Sequence, residues 1–211
     1  MPTSLSPSNP ASGSNVKDAA LVEERQGRIE RAAIEVFLRK GYAATTTREV
    51  GLKAGLTQGT LYNYIRTKDD ILFLVCDRAI ARYHEAVATA MVGSDVPRER
   101  LVRAVRAVIQ AQYEHRDSIA LVLREAHLLD ARSRSALRRR VDTFLDEIVS
   151  IVAAGLPPQK RRASIRMLAE TITYLPTLFA MRRWRLRGEG PPEEMVDAVV
   201  DIVLTALKIE Q

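Results

Sequence analysis

The stretch Thr45–Leu72, TTTREVGLKAGLTQGTLYNYIRTKDDIL, constrains this chain more than any other. Thr46 and Glu49 stand at the spacing of a capping box, in which the hydroxyl takes one free backbone N–H and the carboxylate reaches back for another. A helix opening at Thr46 turns Val50 and Ala54 inward. Gly55 ends it, since the following turn needs a positive φ. Leu56 plugs the gap, Thr57 caps the next helix, and Leu61 anchors that helix to the core, with its end predicted near Tyr64 or Ile65. Two short helices around a tight turn, with a third behind them, form a helix-turn-helix, whose second helix enters a DNA major groove.

With Leu61 inward, Gln58, Gly59, Tyr62 and Asn63 lie on the sides of that helix or away from the core. Gly59 costs it about 1 kcal/mol against alanine. That loss makes sense where a DNA backbone or base edge must come close. For one isolated segment a solvated polar helix would be the simpler reading. Caps on both helices and the Ala54-Gly55-Leu56-Thr57 turn favour DNA.

Before this stretch, a helix is predicted from Val22 to Lys40, with Ile29, Ala33, Val36 and Phe37 on one face and Gly41 as its cap. Residues 1–21 are rich in Ser, Pro, Asn and Gly and read as a disordered tail. No apolar run reaches the ~20 residues of a membrane helix, and the one cysteine, Cys76, excludes an internal disulfide. A cytoplasmic protein is expected. The net charge of +6 is misleading as a sign of nucleic acid, because residues 160–187 hold eight Lys/Arg against one Asp/Glu, far from the helix-turn-helix.

The segment Arg28–Leu72 resembles the TetR family of bacterial transcriptional regulators. Ile29, Ala32-Ala33, Phe37, Gly41-Tyr42, Thr45-Thr46, Arg48, Val50, Ala54-Gly55-Leu56-Thr57, Gly59-Thr60-Leu61-Tyr62, Tyr64 and Lys68 carry the resemblance. Thr47, Gly51 and Ile65 depart from it mildly. The resemblance implies a DNA-binding set of Tyr42, Thr46, Thr47, Arg48, Thr57, Gln58, Gly59, Thr60, Tyr62, Asn63, Tyr64 and Lys68. Tyr42, Thr46, Tyr64 and Lys68 would touch phosphates, while Gln58, Thr60 and Tyr62 would meet base edges. Gln58 is the specificity candidate, because its amide can pair with adenine N6 and N7 together.

Behind residue 67 the periodicity is helical throughout. A long helix is predicted over Lys68–Met91, another from Pro97 to about Tyr113, one capped by Asp117-Ser118, and one from Ser133 or Ser135 to Ala154. Pro157-Pro158 end that one; a helix from Lys160 to about Arg187 follows, kinked at Pro176. A last helix opens at Pro192. The expected fold is all-α, with nine helices. Residues 22–67 form the DNA-binding domain and residues 68–211 a ligand-binding and dimerisation domain.

The resemblance implies a homodimer on a palindromic operator, acting as a repressor that a small hydrophobic effector releases. Its last two long helices would pair with their copies through Leu168, Leu175, Phe179, Val196, Val199 and Val203. The effector pocket is placed at Ile80, Tyr83, Val87, Leu121, Glu125, Leu128, Phe144, Ile172, Arg183 and Trp184. Glu125 reads either as a charge paired with an arginine or as a polar group fixing a ligand. Met181-Arg-Arg-Trp-Arg-Leu-Arg187 reads either as cations at a helix end or as a seat for an anionic ligand with an adenine part. The latter is similar to regulators of lipid and sterol catabolism that answer to acyl-CoA thioesters. No catalytic constellation, cofactor motif or metal-ligand spacing is present; His84, His115 and His127 are scattered. The competing reading is an all-helical carrier or enzyme without DNA function.

Overall fold

The computed structural model describes residues 11–156, 165–186, 188 and 190–207, with side chains from residue 19 onward. All regular structure among them is helical: α1 Ala11–Lys40, α2 Thr47–Lys53, α3 Gln58–Tyr62, α4 Lys68–Met91, α5 Pro97–Glu114, α6 Arg116–Glu125, α7 Ala131–Gly155, α8 Ile165–Tyr174, α9 Leu178–Met181 and α10 Pro192–Ala206. A 3-10 turn, Leu175–Thr177, joins α8 to α9 around Pro176. Together these make the expected kinked helix and bring the described helices to nine. The chain divides into two compact units, Met1–Ile71 and Leu72–Gln211.

In the first unit α1 packs on α2. Ile29, Ala33, Phe37, Val50, Leu61 and Ile71 are fully enclosed. α1 starts at Ala11, not near Val22, so the disordered reading of residues 11–21 is corrected to helix. Prolines stop at Pro10, and Ala19, Ala20 and Leu21 are good helix formers. Residues 19–24 are all exposed, so this extension adds helix without adding core.

In the second unit α5 is the central post, contacting α7, α8, α9 and α10. It buries Leu101, Val105, Val108 and Ile109. Gly155 lets α7 approach α5: a Cβ there would lie 2.6 Å from Leu101 Cβ and 2.9 Å from the Pro97 carbonyl oxygen. α10 lays Val196, Val199, Val200 and Val203 against the core, and Arg106 of α5 pairs with Asp197 at 2.5 Å.

Two helix starts differ from expectation. α6 begins at Arg116, with only His115 between it and α5, and takes no side-chain cap from Asp117 or Ser118. Asp117 pairs instead with Arg183 at 2.5 Å. α7 is capped by Asp130, which accepts from Ser133 N–H at 2.8 Å, rather than by a serine. That N–H, with further donors from Ser133 and Arg132, holds the exposed Asp130 carboxyl below its ordinary value. The expected break at Pro157-Pro158, the start at Lys160 and the end at Arg187 lie outside the described residues.

Candidate functional site

The first unit builds a polar surface on α3. Thr46 forms the expected capping box with Glu49: its N–H donates to the Glu49 carboxylate at 2.8 Å, and its hydroxyl accepts from Glu49 N–H at 3.3 Å. The Lys40 ammonium, seconded by the Thr46 donors, pulls the exposed Glu49 carboxyl down to about 2. Gly55 has φ +66°, and Thr57 caps α3 through Thr60 N–H at 3.2 Å. α3 ends at Tyr62, a little before the expected Tyr64 or Ile65, because Asn63 already serves as its cap.

Arg28 of α1, which sequence reasoning missed, clamps the turn. Its Nε and Nη2 donate to the Ala54 carbonyl at 2.9 and 2.7 Å, and Nη2 donates to the Gly55 carbonyl at 2.8 Å. A guanidinium on the last carbonyls of α2 complements the negative end of that helix. Twenty-six residues separate Arg28 from Ala54, so no local spacing signals the pairing.

With Leu61 fully buried, Thr57, Gln58, Gly59, Tyr62 and Asn63 are exposed, and Thr60 and Tyr64 are half-buried. Gln58 Nε2 donates to Tyr62 Oη at 3.2 Å, pre-setting two side chains on one surface. A Cβ on Gly59 would meet nothing within 4 Å, so no packing inside the chain demands this glycine. Thr46 and Arg48 are exposed and Thr47 half-buried beside it.

Tyr42 corrects its expected role. It is 7% exposed, its ring is edge-on to Phe37 at 5.2 Å, and its hydroxyl donates to Asp69. A hydroxyl spent in this way supports the scaffold rather than a phosphate. Its ring lies 4.4 Å below the Lys68 ammonium, which donates to the Tyr42 and Ala43 carbonyls at 2.9 and 3.1 Å. Tyr42 thus seats Lys68.

The second unit holds a half-open cavity of about 220 Å³. Its apolar wall includes Ile80 and Tyr83 of α4, Ile119 and Val122 of α6, and Leu137 and Phe144 of α7. Burial pushes the Tyr83 hydroxyl above its ordinary range. Its polar wall is Gln112 of α5 with Glu170, Thr173 and Thr177. Of the expected pocket residues, Ile80, Tyr83 and Phe144 line this cavity. Val87, Leu121 and Ile172 are at most 2% exposed and fill the core instead. Leu128 is exposed, and Trp184 is 66% exposed with Arg185 stacked at 5.5 Å. Glu125 pairs with Arg124 at 2.7 Å, which takes the ion-pair alternative.

Arg183 belongs to a second depression of about 270 Å³, with Arg116, Tyr113, Phe179, Leu186 and Met195. Arg116 stacks on Tyr113 at 4.6 Å. Sequence reasoning missed the Glu170, Thr173 and Thr177 stripe, although its helical spacing was readable. Gln112 was also visible as the one polar residue on the apolar face of α5.

Four of the six expected dimer residues are corrected as well. Phe179, Val196, Val199 and Val203 are at most 6% exposed within one chain and leave no surface for a copy. Leu168 and Leu175 are half-buried. An apolar helix with an apolar neighbour in its own chain spends its richest face there, and α5 is that neighbour. From α8 to α10 the large apolar groups left outside among the described residues are Met167, Tyr174, Met181, Trp184 and Ile202, all 59–66% exposed.

Residues 29–75 match the model of bacterial regulatory proteins of the tetR family, and residues 94–207 match that of the tetracyclin repressor-like C-terminal domain. The chain is 29% identical over 172 residues to the HTH-type transcriptional regulator HbdR of Aromatoleum sp. (strain CIB), covering 80% of this chain and 74% of that one. It is 26% identical over 181 residues to the HTH-type transcriptional repressor KstR2 of Rhodococcus jostii (strain RHA1), covering 83% and 87%. Among solved structures, a bacterial regulatory protein in the tetR family from Rhodococcus RHA1 superposes with a TM-score of 0.73 at 24% identity, covering 89% of this chain and 98% of that one. AibR in complex with isovaleryl coenzyme A and operator DNA superposes with a TM-score of 0.69 at 19% identity, covering 84% and 97%. These two likenesses concern the fold alone. The family matches reach further: a helix-turn-helix unit and a helical unit with a cavity, each matched in its own right, make this chain a member of the tetR family of bacterial transcriptional regulators.

Proposed function

We propose that the chain is a homodimeric repressor that binds a palindromic operator in the cytoplasm and leaves it when a small hydrophobic effector fills the cavity of the second unit. The outer face of α3 carries this reading: Gln58, Gly59, Tyr62 and Asn63 are exposed together while Leu61 locks the helix from behind. Gln58 reads a base edge, Gly59 admits the DNA backbone, and Lys68 offers its third proton to a phosphate. Met167, Tyr174, Met181, Trp184 and Ile202 supply the apolar face that a second copy covers.

One helix bears both ends of the signal. Lys68 opens α4, and Ile80 and Tyr83 of the same helix wall the cavity. An effector that prefers one setting of α4 biases the reader, and by reciprocity the operator weakens the effector by the same factor. An acyl-CoA thioester is the effector class we favour. Its acyl part suits the apolar wall, and Arg116 and Arg183 beside aromatic rings suit phosphates and adenine. AibR, solved with isovaleryl coenzyme A and operator DNA, provides a precedent on a related fold.

The test is a gel shift with the promoter DNA of the adjoining genes, followed by addition of acyl-CoAs, free fatty acids or CoA. A salt-sensitive, site-specific shift released by thioesters is expected. Absence of any site-specific shift overturns the DNA reading; a shift indifferent to every thioester overturns the effector class.

A further inference from the structure

On the Gln112, Glu170, Thr173 and Thr177 side of the cavity the groups left open are hydrogen-bond acceptors, while Tyr83 and Tyr174, which also line it, bring hydroxyl donors. Gln112 is 2% exposed, and its Nε2 donates to the Thr173 carbonyl at 2.5 Å. That carbonyl fixes the orientation of the carboxamide, because only the N–H end can face it. Oε1 is left buried without a hydrogen-bond partner. Thr173 donates its hydroxyl to the Ala169 carbonyl at 2.9 Å, and Thr177 donates its own to the Tyr174 carbonyl at 2.7 Å. Both threonines therefore turn only lone pairs to anything else. The Glu170 carboxylate has no cation in ion-pair range among the described residues.

A buried acceptor left unpaired is costly, and a site that holds one discriminates strongly against ligands that cannot donate to it. A purely hydrocarbon occupant would leave Gln112 Oε1 unpaired behind apolar surface. An occupant with one hydroxyl would supply the one donor that Gln112 Oε1 lacks, while its body covered Ile80, Ile119, Leu137 and Phe144.

We propose that the cavity selects an apolar molecule bearing a hydroxyl, whose O–H donates to Gln112 Oε1 on the acceptor wall formed with Thr173, Thr177 and Glu170. This rests on the cavity being the effector site, and it makes Gln112 the residue that sets specificity. For a thioester effector, the hydroxyl belongs on the acyl part.

The experiment needs no DNA, so its outcome is separate from that of the gel shift. The full chain, labelled with 15N, is titrated by NMR with 4-ethylcyclohexanol and with its methyl ether, which keeps the oxygen and loses the donor. The alcohol should bind at least tenfold more tightly and should shift the Gln112 side-chain N–H resonances, while the ether leaves them in place. In Gln112→Met, of similar length and without the acceptor, the preference should fall below threefold. Equal binding of alcohol and ether to the unaltered protein overturns the proposal, as does binding of neither. A preference that survives in Gln112→Met overturns the role of Gln112. Should that variant fail to fold, the Gln112 resonances of the unaltered protein decide alone.

Discussion

Replacing Arg28 by methionine removes the guanidinium and keeps most of the apolar stem, so the change isolates the clamp on the α2–α3 turn. The guanidinium makes three contacts to two carbonyl oxygens. A hydrogen bond to a charged group nets about 1.5–3 kcal/mol. The Gly55 contact is exposed, and water replaces it at little loss; the Ala54 contacts are part-buried and share one oxygen. The ion pair of Arg28 with Glu24, at 3.7 Å on the surface, adds little. The expected loss is therefore about one charged bond, ~2 kcal/mol, not three. With a urea slope of roughly 2 kcal/mol/M, the unfolding midpoint of the first unit should fall by about 1 M. Amide exchange at Ala54 and Leu56, whose N–H groups bond to the Val50 and Gly51 carbonyls, reports that unit separately. Arg28→Lys should recover less than half, since a point charge cannot fork across Ala54 and Gly55. Operator affinity should fall with it, because the clamp fixes α3 against α2. A midpoint shift below ~0.3 M, or full recovery by lysine, would refute this account.

Gln58→Ala should lower specific operator binding by about 1–3 kcal/mol and leave non-specific binding unchanged; equal loss of both in competitive gel shifts counts against base reading. Lys68→Ala should weaken both and reduce the salt slope by about 1, measured as affinity against salt concentration. Gly155→Ala should destabilise by about 1–3 kcal/mol through overpacking. Its new Cβ meets Leu101 Cβ and the Pro97 carbonyl, neither of which can swing aside; a thermal melt at or above the parent's refutes the contact. Ile202→Glu should shift the chain towards monomer in sedimentation and cost palindrome affinity, while a half-site binds as before.

The reader was legible because its determinants are local. Thr46, Glu49, Gly55 and Thr57 act within four residues of what they cap, so spacing alone reveals them. Arg28 acts at a distance of twenty-six residues and leaves no such trace. In the second unit the helices were legible from their periodicity, and the use of each apolar face was not. A stripe such as Val196, Val199 and Val203 looks the same whether α5 or a second copy covers it. Whether an apolar residue fills the core, like Leu121 and Ile172, or borders a void, like Ile80 and Phe144, depends on how neighbouring helices are spaced. Glu170, Thr173 and Thr177 mislead in the opposite sense, since a polar stripe facing a cavity reads as one facing water.

The contact between α4 and α7 decides how readily a cavity occupant can move α4. Asp77 of α4 meets Arg140 of α7, and His84 meets Glu147 at 2.9 Å. The two ends of the first pair are unequal. The Arg140 side chain is 54% exposed and can return to water, while Asp77 is 21% exposed and its Oδ1, though within ion-pair reach, accepts no aligned hydrogen bond. Burial raises the Asp77 carboxyl above its ordinary value, and Arg140 and Arg78 only partly oppose that. A carboxyl raised by folding lends stability that is fully present below its unfolded value and is lost as pH rises through the folded one. At neutral pH the half-buried Asp77 charge is therefore a net load on the α4–α7 contact, which its attraction to Arg140 only partly offsets. Asp77→Asn keeps the shape and removes the charge. Its melting temperature should exceed the parent's at pH 7, and the gap should close towards pH 3, where both forms are neutral at this position. The same variant should need more effector to release DNA if the load helps α4 to move. A variant that melts lower at pH 7, with the deficit vanishing in acid, would instead make the Asp77–Arg140 pair a latch that the effector must break.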